Sequence, residues 1–307
     1  QDPWSFTLGD RQWYNLSWLW DVIASVVFQY TGYTGLTLSI VACGAVIAGY
    51  LTSICLGSGA SALAVGISVL AACLLYPAFA TAPNSYLSAS PNTPTMVFCV
   101  IFYAECLKRT RWFLLPVMMV LWANLHGGFM LGLLLIGFFG AVSVLKRDWA
   151  GLRIYSFAVA GCLVAVLINP LGWHIYDGVA TTLGHFAQAH ITEWWSYADN
   201  FTMPGSIPGI VYIAIFVAFE LRHPTASSVP LESRLLAWLF LLLGFCQYRY
   251  MSFFFMFAAV PLALHLDRLL PKQLNELKVQ TSLLVAGIVG MCALPLTLIH
   301  VKQIGRA

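Results

Sequence analysis

The sequence predicts an all-α, polytopic membrane protein, and three observations carry that expectation. Apolar residues fill 60% of the 307 positions and charged residues only 9%, against about 25% charged in an ordinary soluble chain. Such a chain has too few polar groups to cover a water-facing surface. Apolar runs of helix-spanning character succeed one another from residue 35 to residue 300, and no alternating period-two pattern competes with them. The few basic residues gather in clusters separated by pairs of apolar runs.

Taken in order, the runs predict ten spans, at 35–56, 61–80, 94–107, 112–124, 129–145, 154–169, 207–221, 235–248, 251–266 and 281–300. Several are short and need a thinned bilayer or close neighbours. Ahead of them, residues 16–30 (LSWLWDVIASVVFQY) are amphipathic, with Trp4, Trp13, Tyr14, Trp18 and Trp20 as interface-seeking aromatics. They read as an interfacial helix; if they span instead, residues 1–15 change sides. The chain is thus a single transmembrane domain over 1–307: an outer loop and interfacial helix to residue 33, transmembrane helices over 34–301, and the longest outer loop near 170–206. Its start, QDPWSFT, reads as the middle of a loop, so a fragment lacking the first span is expected.

Positive charge sets the sides. Lys108, Arg109 and Arg111 form one cluster; Lys146, Arg147 and Arg153 the next; Arg222 and Arg234 flank a third loop; Arg268, Lys272 and Lys278 make a fourth. Two short spans separate neighbouring clusters, so all four fit on the cytoplasmic side with hairpins between them. The turn of one hairpin then falls in LWANLHGGFMLGL (121–133), near the outer surface. Gly127 and Gly128 serve there either to reverse the chain or to admit a close neighbour. The same bookkeeping brings Asn124, His126, Asn169, Glu193, Asp199 and Arg249 to one face of the membrane from three hairpins.

Each of these residues also has an ordinary reading. Arg249, between two short spans, either snorkels to head groups or holds an anion such as a lipid phosphate, flanked by Tyr248 and Tyr250. Glu193 is either an interfacial acid or a general acid or base, beside Trp194 and Trp195, whose faces suit a sugar ring. His126 either ends a helix, donates to a phosphate or helps to bind a metal. His174, His185 and His190 read as loop histidines; His223, His265 and His300 read as interface markers near span ends. The eight cysteines lie in apolar stretches without a CxxC pair and read as small buried hydrophobes. No HExxH, DxD, GxSxG or Gly-rich phosphate loop is present, no cofactor is called for, a divalent metal is unsupported, and no basic run points to nucleic acid.

The order of DPWSFT (2–7), WLWD (18–21), LWANLHGGFMLGL, INPLGW (168–173), EWWS (193–196), DNF (199–201) and YRYMSFFFMFAAVPLA (248–263) resembles bacterial multi-spanning proteins related to the GT-C class of membrane glycosyltransferases, which includes protein mannosyltransferase-like and aminoarabinose transferase-like enzymes. The resemblance covers about residues 2–265. It implies a GT-C-like fold and inverting transfer of a sugar from a polyprenyl-phosphate donor to a lipid, glycan or protein acceptor, at the outer face of the inner membrane among its lipids. It also implies a catalytic carboxylate in the first outer loop. Related proteins usually carry an acidic element, often Asp-x-x-Trp-His-like, just before the stretch matching DPWSFT; that position precedes Gln1. By location Asp2 and Asp10 stand in for it, and Glu193 is the best acid elsewhere. Two other classes stay open: an envelope-glycan polymerase or ligase unrelated to GT-C, and a transporter or structural membrane protein without chemistry.

Overall fold

A computed structural model describes residues 14–79, 89–183, 190–200, 206–223 and 229–271. The expected span at 281–300 and the acids Asp2 and Asp10 lie outside the described residues. Among the described residues every regular element is helical: α1 (Trp18–Gly57), α2 (Ala62–Phe79), α3 (Asn92–Lys108), α4 (Leu115–Leu125), α5 (Met130–Leu145), α6 (Trp149–Val166), α7 (Ile175–Leu183), α8 (Ser206–Arg222), α9 (Leu231–Cys246) and α10 (Met251–Leu269), with short 3-10 turns such as Gly127–Phe129 and Tyr248–Tyr250 between some of them. Among the described residues four segments are long and apolar enough to cross a membrane: Trp18–Gly57, Gly127–Leu145, Trp149–Val166 and Tyr248–Leu269. Ala62–Cys73 and Trp112–Leu125 are apolar but shorter. The protein is a helical membrane protein.

Helix α10 is the hub. Met251 to His265 are buried without interruption, as expected of a helix that is apolar all round. It packs against α1, α2, α8 and α9. A second group forms around α3, α4, α5 and α6, where Trp122 stacks on Phe98 and meets Phe102 edge-on. Gly132 of α5 lets that cluster close: a Cβ there would lie 2.6 Å from the Trp122 ring.

Two helices begin earlier than hydropathy alone predicts. Helix α6 starts at Trp149 because Asp148 caps it, accepting the Gly151 N–H at 2.9 Å while also binding Arg109. Helix α9 takes Glu232 and Arg234 into its first turns, where Lys146 meets Glu232 at 2.6 Å and Glu220 accepts from Arg234 at 2.8 Å. Paired charges are admitted where an unpaired one would not be. Nor does His265 mark an interface: it is 0% exposed, 2.8 Å from Glu220 and stacked on Phe219.

The predicted interfacial helix and first span form one 40-residue helix broken at Gly32, whose φ of 61° and ψ of −153° are open essentially to glycine alone. At 1.5 Å per residue an unbroken helix would run about 60 Å, twice a hydrocarbon core. The break separates a largely exposed segment at 21–31 from a segment that joins the core at Ile47–Cys55. Within the expected outer loop near 170–206, the described residues include α7 and the 3-10 turns Gly172–His174 and Thr192–Trp194.

Side-chain bonds tie the helices at two ends. At one, Arg109–Asp148, Lys146–Glu232, Ser61–Asp267 and the Glu220–Arg234–His265 triad join the ends of α3, α5, α8 and α10 to the starts of α2, α6 and α9. At the other, Trp18 reaches Asn124, Asn124 reaches Ile168, and Thr95 reaches His126.

Candidate functional site

Arg249 sits in the 3-10 turn Tyr248–Tyr250 that links α9 to α10. The turn is tight because Gly244 has no side chain: a Cβ there would meet the Met251 backbone at 3.1 Å. Two backbone bonds sew residues 192–200 onto it, from Tyr248 N–H to the Trp195 carbonyl at 2.8 Å and from Tyr197 N–H to the Phe245 carbonyl at 3.1 Å. Tyr197 also stacks on Tyr248 at 6.1 Å. Asn200 closes the segment, donating to the Thr192 and Ser196 carbonyls at 3.0 and 3.1 Å, and Asp199 accepts from the Ser196 hydroxyl at 2.6 Å.

This frame lays the Trp194 ring against Arg249. The guanidinium carbon is 4.1 Å from the Trp194 centroid and 5.8 Å from that of Tyr250. That contact is a cation–π interaction, and it leaves the guanidinium N–H groups to be satisfied. Among the described residues Arg249 has no carboxylate in ion-pair range and no hydrogen bond, and its Nε is buried without a partner.

His126 lies in the turn between α4 and α5, near enough for the Arg249 charge to act on it. Its Nδ1 lies 2.8 Å from Thr95 Oγ1 and accepts from the Gly128 N–H at 3.1 Å. Burial, and then the charge of Arg249, lower its pKa from the ordinary 6.5 to about 4. The ring is therefore neutral at physiological pH. The paired glycines serve close approach, not a left-handed backbone. A Cβ on Gly127 would stand 3.1 Å from the Leu16 side chain, and one on Gly128 2.6 Å from Thr95 Oγ1.

The remaining predicted residues divide by role. Trp195 contributes its carbonyl, and Tyr248 its N–H and ring, to the frame. Glu193 shares the 3-10 turn of Trp194, and its carboxylate is in no hydrogen bond or ion pair among the described residues. Asn124 is 7% exposed, with both ends of its amide occupied: Oδ1 accepts from Trp18 at 3.0 Å, and Nδ2 donates to the Val120 and Ile168 carbonyls. Asn169 is likewise engaged, accepting from the Leu171 N–H at 2.7 Å and donating to the Gly172 carbonyl at 3.2 Å. Both asparagines hold the scaffold. Among the described residues no three His, Cys, Asp or Glu side chains gather as a metal would require.

Sequence reasoning missed Thr95, Trp122 and Asn200. Each is an uncharged polar or aromatic residue within an ordinary helix or turn, and only the fold gives it a partner. Taken together, Arg249, Trp194, Tyr250 and His126 make a cationic, aromatic-walled site able to bind an anion, with Glu193 alongside. Comparison of the chain with family models, characterised proteins and solved structures finds no match.

Proposed function

We propose that this protein is a membrane glycosyltransferase of GT-C-like architecture, with about ten spans, that moves a sugar from a polyprenyl-phosphate donor to a lipid, glycan or protein acceptor at the outer face of the bacterial inner membrane. The observation that carries the reading is the Arg249 guanidinium, held against the Trp194 ring with no anionic partner among the described residues. A cation held unneutralised in a membrane protein is costly and marks function. Phosphate oxygens satisfy its N–H fork in a way water or a carbonyl does not. The order of sequence motifs supports the sugar and the class of donor.

In this reading the acceptor hydroxyl oxygen attacks C1 of the sugar from the face opposite the phosphate. The C1–O bond breaks, and the lipid phosphate leaves with the electron pair. A carboxylate takes the acceptor's proton; Glu193 is the candidate among the described residues. Arg249 and neutral His126 stabilise the charge that builds on the departing phosphate. Trp194 and Trp195 offer faces to the sugar.

The test is transfer. Purified protein, in detergent with a membrane-lipid extract, is incubated with labelled polyprenyl-phosphate sugars. Label that moves to an acceptor with wild type, and falls at least tenfold with Arg249→Gln and Glu193→Gln, supports the reading. Folded protein that moves label from none of the donors removes it.

A further inference from the structure

The hydrogen bonds behind His126 determine where its single ring proton sits. An indole N–H only donates, and that of Trp122 donates to Thr95 Oγ1 at 3.1 Å. The Gly128 N–H, which also only donates, points at His126 Nδ1 from 3.1 Å. Nδ1 must meet it with a lone pair. Thr95 Oγ1 is 2.8 Å from the same nitrogen and accepts from Trp122; with the lone pair on Nδ1, its hydroxyl proton is free to donate there as well. A proton on Nδ1 would be set against the Gly128 N–H, a backbone donor that cannot turn away. The ring proton is left on Nε2.

We infer that Thr95, itself held by Trp122, is a positioning residue that locks His126 as the Nε2–H tautomer, so that the histidine meets a substrate phosphate as a hydrogen-bond donor and neither as a base nor as an Nδ1 metal ligand. The phosphate half of this inference rests on the proposed function; the tautomer half does not. The lock accounts for a feature of LWANLHGG that hydropathy leaves open. Trp122, His126 and Gly128 belong to one hydrogen-bonded unit, and any side chain at residue 128 would occupy the space of the Thr95 hydroxyl and His126 Nδ1, at 2.6 and 2.8 Å from its Cβ. The arrangement also suits Arg249. A neutral donor adds a hydrogen bond to the anion without setting a second positive charge beside the guanidinium.

Nitrogen-15 NMR of the full chain in lipid nanodiscs reads the tautomer directly, with His126→Gln identifying the signal among the seven histidines. The expected wild-type spectrum has a lone-pair-type Nδ1 and a protonated Nε2, preserved in Thr95→Ser and mixed in Thr95→Val. Binding of polyprenyl phosphate is measured on the same samples. It should weaken roughly tenfold in Thr95→Val and His126→Phe, the scale of one hydrogen bond to a charged group, and recover to within about twofold in Thr95→Ser. A wild-type ring protonated on Nδ1, or a mixture, overturns the lock even if the lipid binds, and needs no variant beyond the one that identifies the signal. A locked ring with binding indifferent to His126→Phe overturns the donor role. A locked ring in a protein that binds no polyprenyl phosphate supports the lock and instead overturns the glycosyltransferase reading.

Discussion

Replacing His126 by glutamine should remove an acid sensitivity that the native protein carries. Burial and the neighbouring Arg249 bring the His126 pKa from 6.5 to about 4 in the folded state. Between these values the unfolded chain holds the proton and the folded protein does not, so stability falls as pH is lowered through this window. That gap, at roughly 1.4 kcal/mol per pH unit, amounts to about 3 kcal/mol. That loss begins near pH 6.5 and is complete near pH 4; above pH 7 the residue contributes no pH dependence. Glutamine has no proton to gain. The assay is reversible unfolding in mixed micelles, wild type against His126→Gln, at half-unit steps from pH 7.5 to about 4, where other titrating groups cancel in the difference. The difference in unfolding free energy should move against the wild type by about 3 kcal/mol on acidification. A difference that stays level within about 0.5 kcal/mol, or that favours the wild type in acid, would refute the assignment of a part-buried histidine held neutral in the folded protein.

Three further outcomes follow from packing and pairing. Gly132→Ala should lower stability by about 1–3 kcal/mol in the same unfolding assay, because the new Cβ would stand 2.6 Å from the Trp122 ring, which is buried and has no room to yield. Asn124→Leu strands the Trp18 N–H and the Ile168 carbonyl; a loss of about 1–2 kcal/mol is expected, with transfer activity reduced only in step with the folded fraction. Glu220→Ala leaves Arg234 and His265 without their shared carboxylate and should cost about 3–5 kcal/mol, seen as a large drop in thermal midpoint.

Hydropathy and charge make the helices legible because both are local. Even so, α6 and α9 start earlier than expected, and the reason is tertiary: Asp148 is neutralised by Arg109 and Glu232 by Lys146, partners 39 and 86 residues away. Arg249 stands out in the sequence as a lone basic residue between apolar runs, and Trp194 as one of an aromatic pair. Asn124 and Asn169 were equally visible as polar residues at that end, yet their amides are taken up by carbonyls and N–H groups of the scaffold. A sequence records that an amide is present, not whether its bonds are occupied. Thr95 was not legible at all. Nothing at residue 95 announces a bond to a histidine 31 positions on.

The central claim is that Arg249 holds a lipid phosphate. Its most direct test is equilibrium binding of labelled polyprenyl phosphate to the full chain in nanodiscs, beside the uncharged polyprenol, for wild type and Arg249→Gln. The account predicts that the wild type binds the phosphate and not the alcohol, and that the glutamine variant loses roughly tenfold or more in affinity. Equal binding of phosphate and alcohol, or phosphate binding untouched by Arg249→Gln, would contradict it.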